Sequence, residues 1–186
     1  TRTFEISTKL RKGENFKKTQ DRINTLVQKA IEEEGRDIII LSDLEITLGG
    51  GYLPMPLAVA GLDAHLKKIG ARHAASIVCA TGEVLIDHAL AFMISLGASA
   101  VFPYLGIEII KDNFASPLSK FQGMTLEAAV ANWLASLETG LVSILAKMGI
   151  NSVSPYIGSR LFDGLGVAED VLDWLGMNQP CIGGFG

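Results

Sequence analysis

The sequence predicts an α/β fold: parallel β/α units that form either an incomplete TIM-barrel-like array or an open sheet with helices on both faces. Three observations predict it. Short apolar runs with the length of buried strands occur at residues 37–43, 74–80 and 100–102. Segments of helical period separate them, the alternation expected of right-handed β/α crossovers. A ten-residue pattern also recurs at a spacing of 52: residues 97–106 read GASAVFPYLG and residues 149–158 read GINSVSPYIG. Both copies place a glycine before a short apolar stretch and Pro-Tyr just after it. Four strands cannot close an eight-stranded barrel, so any barrel would be partial.

Taken in order, residues 1–16 are polar without a clear period and read as an arm or linker, with residues 17–186 as a single α/β domain. From Lys17 a helix is expected, because Ile23, Leu26, Val27, Ala30 and Ile31 share one face. Gly35 suits its end. Ile38 to Leu41 form the first buried strand, followed by the flexible connector Gly49-Gly50-Gly51. Pro54 and Pro56 open a second helix that runs to Gly70. Ala74 to Ala80 is the next strand, and Val84 to Leu96 a helix apolar nearly all round, hence buried on most sides. Ala100 to Phe102 follows as a strand. Residues 111–123 read as a loop, and Thr125 caps a long helix ending near Met148. Ile150 to Ser154 is expected as a fourth strand, with short helices at 159–165 and 168–175.

Composition narrows the function classes. The chain of 186 residues is 48% hydrophobic and only 19% charged, which argues against disorder. Residues 1–36 hold 15 of the charges, 9 of them basic; the other 150 residues hold 21, of which 14 are acidic. So lightly charged a body is expected to have part of its exterior covered by something else. A net charge of −4, with no basic stripe interleaved with aromatics, points away from nucleic acid. No run of about 18 apolar residues suggests a membrane span, since the stretch from Val84 to Ala98 contains Asp87 and His88. The polar N-terminus does not read as a signal peptide. Cys79 and Cys181 form no CxxC or disulfide framework, which fits a reducing, cytoplasmic compartment.

In parallel α/β folds, sites gather at the C-terminal ends of strands. Those ends offer Ser42, Asp43, Thr81, Glu83, Tyr104 and Tyr156 as candidate site residues. Asp43 and Glu83 could be a carboxylate pair for acid–base work. The plainer alternative has Asp43 capping a loop and Glu83 at a helix N-terminus. His65, His73 and His88 lack metal-ligand spacing, and His88 reads as a core or interface histidine. Cys79 reads as a small buried hydrophobe, and Trp133 and Trp174 as core or interface residues. The triglycine lacks both phosphate-binding patterns, GxGxxG and GxxxxGK[ST]. No nucleophile, base and orienting group assemble, so the residues by themselves indicate no catalytic or metal centre.

Four stretches together carry a family resemblance. Ile39-Ile40-Leu41-Ser42-Asp43 is similar to an ILSDR strand; Thr81-Gly82-Glu83 with His88 to an (S/T)GE…HHFA turn and helix; and residues 97–105 to GADAVNPYLA. Residues 147–152, then Tyr156, Gly158, Phe162 and residues 164–166, are similar to KMGIST…SYRGAxxFEAxGL. In this order and spacing, from about residue 17 onward, the chain resembles the central domain of the glutamate synthase large subunit, in its C-terminal portion. Leu44, Phe102 and Ile157 stand where that family has Arg, Asn and Arg, and Asp87 stands where it has the first of two histidines.

The resemblance implies a structural part of an oxidoreductase of glutamate biosynthesis. Its partners would be a glutaminase domain and an FMN-binding domain, in the same polypeptide or as separate subunits, and its role to link them and wall the ammonia path between them. FMN and an iron–sulfur cluster are expected in other domains of the parent enzyme and none in this chain, whose two cysteines cannot supply a cluster's thiolates. An independent small enzyme or ligand-binding protein with its site at the strand ends is the alternative. A homo-oligomer burying the helix around His88 is a third reading.

Overall fold

A computed structural model of the chain describes residues 2–45, 50–116, 123–177 and 182–185. Four strands, β1 (Thr3–Ser7), β2 (Ile38–Ser42), β3 (Ser76–Ala80) and β4 (Ala100–Phe102), form a parallel sheet in chain order. The sheet is open, so the α/β fold is realised without a closed barrel. The helices α1 (Phe16–Glu32), α2 (Met55–Lys68) and α3 (Asp87–Leu96) join the strands, and α2 packs against both neighbours. A strand order without reversal puts these three in one layer on one face. Ile39, Leu41, Ile77 and Cys79 point into that layer and are wholly buried, whereas Ile38, Ile40 and Val78, on the opposite face, are half-buried.

Residues 3–7 are a strand, not an arm. Their period of two, with Phe4 and Ile6 between Thr3, Glu5 and Ser7, is the signature of a half-exposed edge. Five residues of it escape notice among charged neighbours. Asn15 accepts from Lys18 N at 2.9 Å and starts α1, which buries Ile23, Val27 and Ala30.

The second half departs further from expectation. A helix, α4 (Tyr104–Ala115), occupies the start of the expected loop at 111–123; residues 117–122 lie outside the described part. Pro103 starts α4 without a side-chain cap, and only Gly106 and Ile110 are buried, so neither capping nor a strong apolar stripe announces it. Thr125 caps α5 (Leu126–Lys147) as expected, accepting from Ala128 N at 3.2 Å. By length and mean hydropathy (1.4) α5 has the composition of a membrane span. Its stripe of Leu137, Leu141 and Leu145 is nonetheless buried, and α5 packs against α3 and α4.

The expected strand at 150–154 is absent; a 3-10 turn spans Ser154–Tyr156 instead. The helix expected at 159–165 is absent too, because Arg160 adopts φ +53, which ends any helix there. A small parallel ribbon, β5 (Leu165–Val167) with β6 (Ile182–Phe185), flanks α6 (Glu169–Leu175), the second short helix expected. Trp174 on α6 donates to Leu57 O at 3.1 Å and ties this end to α2.

One buried carboxylate binds the halves together. Asp63, 1% exposed, meets Arg72 at 2.7 Å, Lys67 at 2.7 Å and Arg160 at 2.9 Å. Arg72 also donates to Gly97 O at 2.9 Å, and Arg160 to Leu175 O at 2.8 Å. Both arginines thus satisfy backbone carbonyls while sharing the one acid with Lys67, the condition under which a buried ion cluster holds.

Candidate functional site

The ladder between strands runs one residue past β2 and β3. Asp43 N donates to Ala80 O at 3.1 Å, and Thr81 N to Phe102 O at 3.0 Å. This brings Asp43 and the Thr81-Gly82-Glu83 turn side by side at the C-terminal end of the sheet. Asp43, 2% exposed, accepts from Thr81 Oγ1 at 2.6 Å and from Gly82 N at 3.1 Å. Thr81 Oγ1 in turn accepts from Glu83 N at 3.1 Å. Glu83 accepts from Met55 N at 2.9 Å, so its carboxylate closes the N-terminus of α2, not that of the helix following it in sequence. Ser42, almost fully buried, accepts through its hydroxyl from Leu44 N at 3.4 Å.

Tyr104 lies over this turn. A Cβ on Gly82 would sit 3.1 Å from the Tyr104 hydroxyl, so glycine makes room for the phenol. Burial first, then the Asp43 carboxylate, push the Tyr104 phenol up to about 12. Burial also raises Glu83 above the usual carboxylate range, against the pull of Met55 N–H and with the help of Asp43's charge. Tyr52, raised chiefly by the charge of Glu83, then by burial and Asp43, is a fourth acidic group here. Among the described residues no cation pairs with Asp43 or Glu83.

Five of the six residues expected from the sequence, Ser42, Asp43, Thr81, Glu83 and Tyr104, are therefore neighbours. Tyr156 is not among them. It is wholly buried in a second cluster with Ala91, Ile94, Leu141 and Leu145. Burial raises its phenol, and its hydroxyl oxygen meets no hydrogen-bond partner among the described residues. Sequence reasoning missed Tyr52. The connection after β2 has to return across the strand ends, where Tyr52 bridges Lys9, so an aromatic residue in that connection was the available signal.

The histidines do not converge. His88 is 71% exposed and bonds Asp87 at 2.9 Å, so of the core and interface alternatives expected for it the core one does not hold. The helix begins at Asp87, so His88 stands in its first turn and points outward. Cys79 is buried, and burial raises its thiol. Cys181 and Gly49 lie outside the described residues. Gly51 O accepts from Leu10 N at 3.0 Å, so the remaining glycine loop is pinned to the segment after β1. No group of three His, Cys, Asp or Glu side chains forms a metal site among the described residues. Chemically, the cluster at the strand ends locks two turns and a helix end while holding acidic groups together with no counter-ion among the described residues.

Comparison with known proteins identifies the class to which this open β/α sheet belongs. The family described as glutamate synthase central domain matches residues 1–168. The ferredoxin-dependent glutamate synthase of Cyanidium caldarium is 35% identical over 162 residues, covering 81% of this chain and 10% of that protein. The ferredoxin-dependent enzyme of Pyropia yezoensis is 33% identical over 168 residues (86% and 11%), and the glutamate synthase [NADPH] large chain of Bacillus subtilis (strain 168) 34% identical over 149 residues (80% and 10%). The chain belongs to the glutamate synthase central domain family. It spans about a tenth of the length of these relatives.

Proposed function

We propose that the chain serves as a linking segment of a glutamate synthase, joining a glutaminase domain to an FMN-binding domain and walling the ammonia path between them. The observation that carries this reading is the match to the central domain over residues 1–168 in relatives about ten times longer. The thin charge of residues 37–186 supports it, as do the exposed apolar side chains of Leu44, Phe102 and Ile86, which suit surfaces covered by other domains. On this reading catalysis, FMN and the iron–sulfur cluster belong to the other domains, and this chain supplies geometry. Titration of the purified chain with FMN, followed by flavin fluorescence and thermal shift, tests it. The expected result is no stoichiometric uptake; tight equimolar binding would sink the reading.

A second reading, a ligand site at the strand ends, rests on the convergence of Asp43, Glu83, Tyr52 and Tyr104 with no cation paired to the carboxylates among the described residues. A cationic ligand bound there would lower the titration of Tyr104, which an ultraviolet tyrosinate titration in its presence would show.

A further inference from the structure

Glu83 reaches from the turn after β3 to the start of α2, and the geometry points to a proton-operated latch at this contact: the neutral carboxyl fastens residues 50–54, the strap that leads into α2, to that turn, and the ionised carboxyl releases it. Met55 is the first residue of α2, so its N–H has no acceptor within the helix. Glu83 Oε1 accepts from it at 2.9 Å, across 28 residues of sequence. Met55 is wholly buried and Pro56 brings no N–H, so Glu83 serves the outermost donor of the helix in a place sheltered from water. The strap is otherwise tied to the segment after β1. Leu53 N donates to Thr8 O at 2.9 Å, Gly51 O accepts from Leu10 N at 3.0 Å, and Tyr52 bridges Lys9. Glu83 is itself anchored through its N–H, which Thr81 Oγ1 accepts at 3.1 Å. One side-chain contact therefore couples the strap to β3.

The titratable groups around the Glu83 carboxyl are Asp43 from the end of β2, Tyr52 from the strap, Tyr104 from α4 and, wholly buried, Cys79 of β3. Burial raises Glu83 above the usual carboxylate range; the Met55 N–H opposes the shift and the charge of Asp43 adds to it. The closed contact thus holds the Glu83 proton more tightly than water does. Its stabilisation by that proton is complete below the ordinary value of 4.5 and is lost as pH rises through the raised one. A neutral carboxyl still accepts from Met55 N through its carbonyl oxygen, and it brings no second charge beside Asp43. A permanent charged cap is the plainer role, because a carboxylate suits a helix N-terminus. The two roles differ in sign: a charged cap holds Met55 better as Glu83 ionises, and the latch holds it less well. The inference rests on neither reading of the proposed function.

Hydrogen exchange of the whole chain, read at single amides from about pH 4 to about pH 8 and divided by the rates of unstructured peptides, tests it. Protection of the Met55 amide is expected to fall by about threefold or more across this range, while the amides of β2 keep theirs. The carbon NMR shift of the Glu83 carboxyl, followed in the same series, should titrate with the midpoint of that fall. Glu83→Gln keeps a carbonyl acceptor for Met55 N and has no proton to lose, so its Met55 protection should stay at the acid level throughout. Protection that is flat or rises with pH in the unaltered chain, or a fall whose midpoint differs from that of the Glu83 carboxyl, would overturn the proposal. So would a fall that persists in Glu83→Gln, or low Met55 protection at every pH in that variant.

Discussion

Residues 97–106 and 149–158 share five of ten residues, yet they build different structures. The first copy runs from Gly97 through β4 into α4, pairing along β3. The second makes no strand: Ile157 N bonds back to Val153 O at 3.1 Å, and Gly158 N reaches Ile94 O at 3.0 Å. The shared tyrosine follows the same division. Tyr104 sits over Asp43 and Gly82 at the strand ends, and Tyr156 is sealed among α3 and α5 side chains. A strand needs a neighbour with free amides as well as a suitable sequence. The first copy finds the edge of β3, while the second is held at the C-terminal end of α3, where Arg160 N meets Ser95 O at 2.9 Å. Local pattern proposes a strand, and the available partner decides whether it forms.

The largest effect should come from the residue joining the two copies. Asp63→Ala would leave Arg72 and Arg160 without their buried acid, at a cost of about 3–5 kcal/mol, read as a drop in the urea midpoint. Next, the glycines that open each copy should respond unequally. At Gly97, φ is +128 and a Cβ would lie 2.7 Å from the Asp63 carboxyl carbon; at Gly149, φ is +72 and the space is open. Gly97→Ala should therefore cost about 2–4 kcal/mol, and Gly149→Ala about 1–2 kcal/mol, in matched thermal melts. If the two cost the same, the packing difference between the copies is not what the structure shows.

The tyrosines provide a finer contrast. Tyr156→Phe removes a buried hydroxyl that has no partner among the described residues, so it should leave stability unchanged or raise it by up to about 1 kcal/mol in urea unfolding. Tyr104 acts through pH. Its folded value of about 12 lies above the unfolded value of about 10, so folding holds its proton more tightly. The stability this contributes is complete below pH 10 and is lost as pH rises through 12. Tyr104→Phe should flatten that alkaline loss in melts recorded across the range, while Tyr156→Phe should leave the Tyr104 part of it in place.

The legible parts of the fold were those whose burial has one face and one period. The stripe Ile23–Val27–Ala30, the run Ile39–Leu41 and the cap Thr125 are readable because core packing or capping dictates them directly. β1 was obscured by its exposed face, and α4 by burying only Gly106 and Ile110. At the strand ends, Asp43, Thr81 and Glu83 could be read from the rule that loops gather there. Tyr156 misled because the rule assumed a fourth strand, and Tyr52 was missed because a connecting loop has no period. Asp63 was invisible for another reason: its three partners lie 4, 9 and 97 residues away, and only the fold brings them together.

On the proposed reading, this chain links a glutaminase domain to an FMN-binding domain and leaves the chemistry to them. The most direct test replaces the matching segment of the Bacillus subtilis glutamate synthase [NADPH] large chain with residues 1–168. In a hybrid that retains bound FMN and hydrolyses glutamine, 2-oxoglutarate consumption is compared with glutamine hydrolysis. Consumption that keeps pace with hydrolysis, with no ammonia released to solvent, is the predicted result. Hydrolysis that proceeds while ammonia escapes and 2-oxoglutarate remains unconsumed would contradict the account.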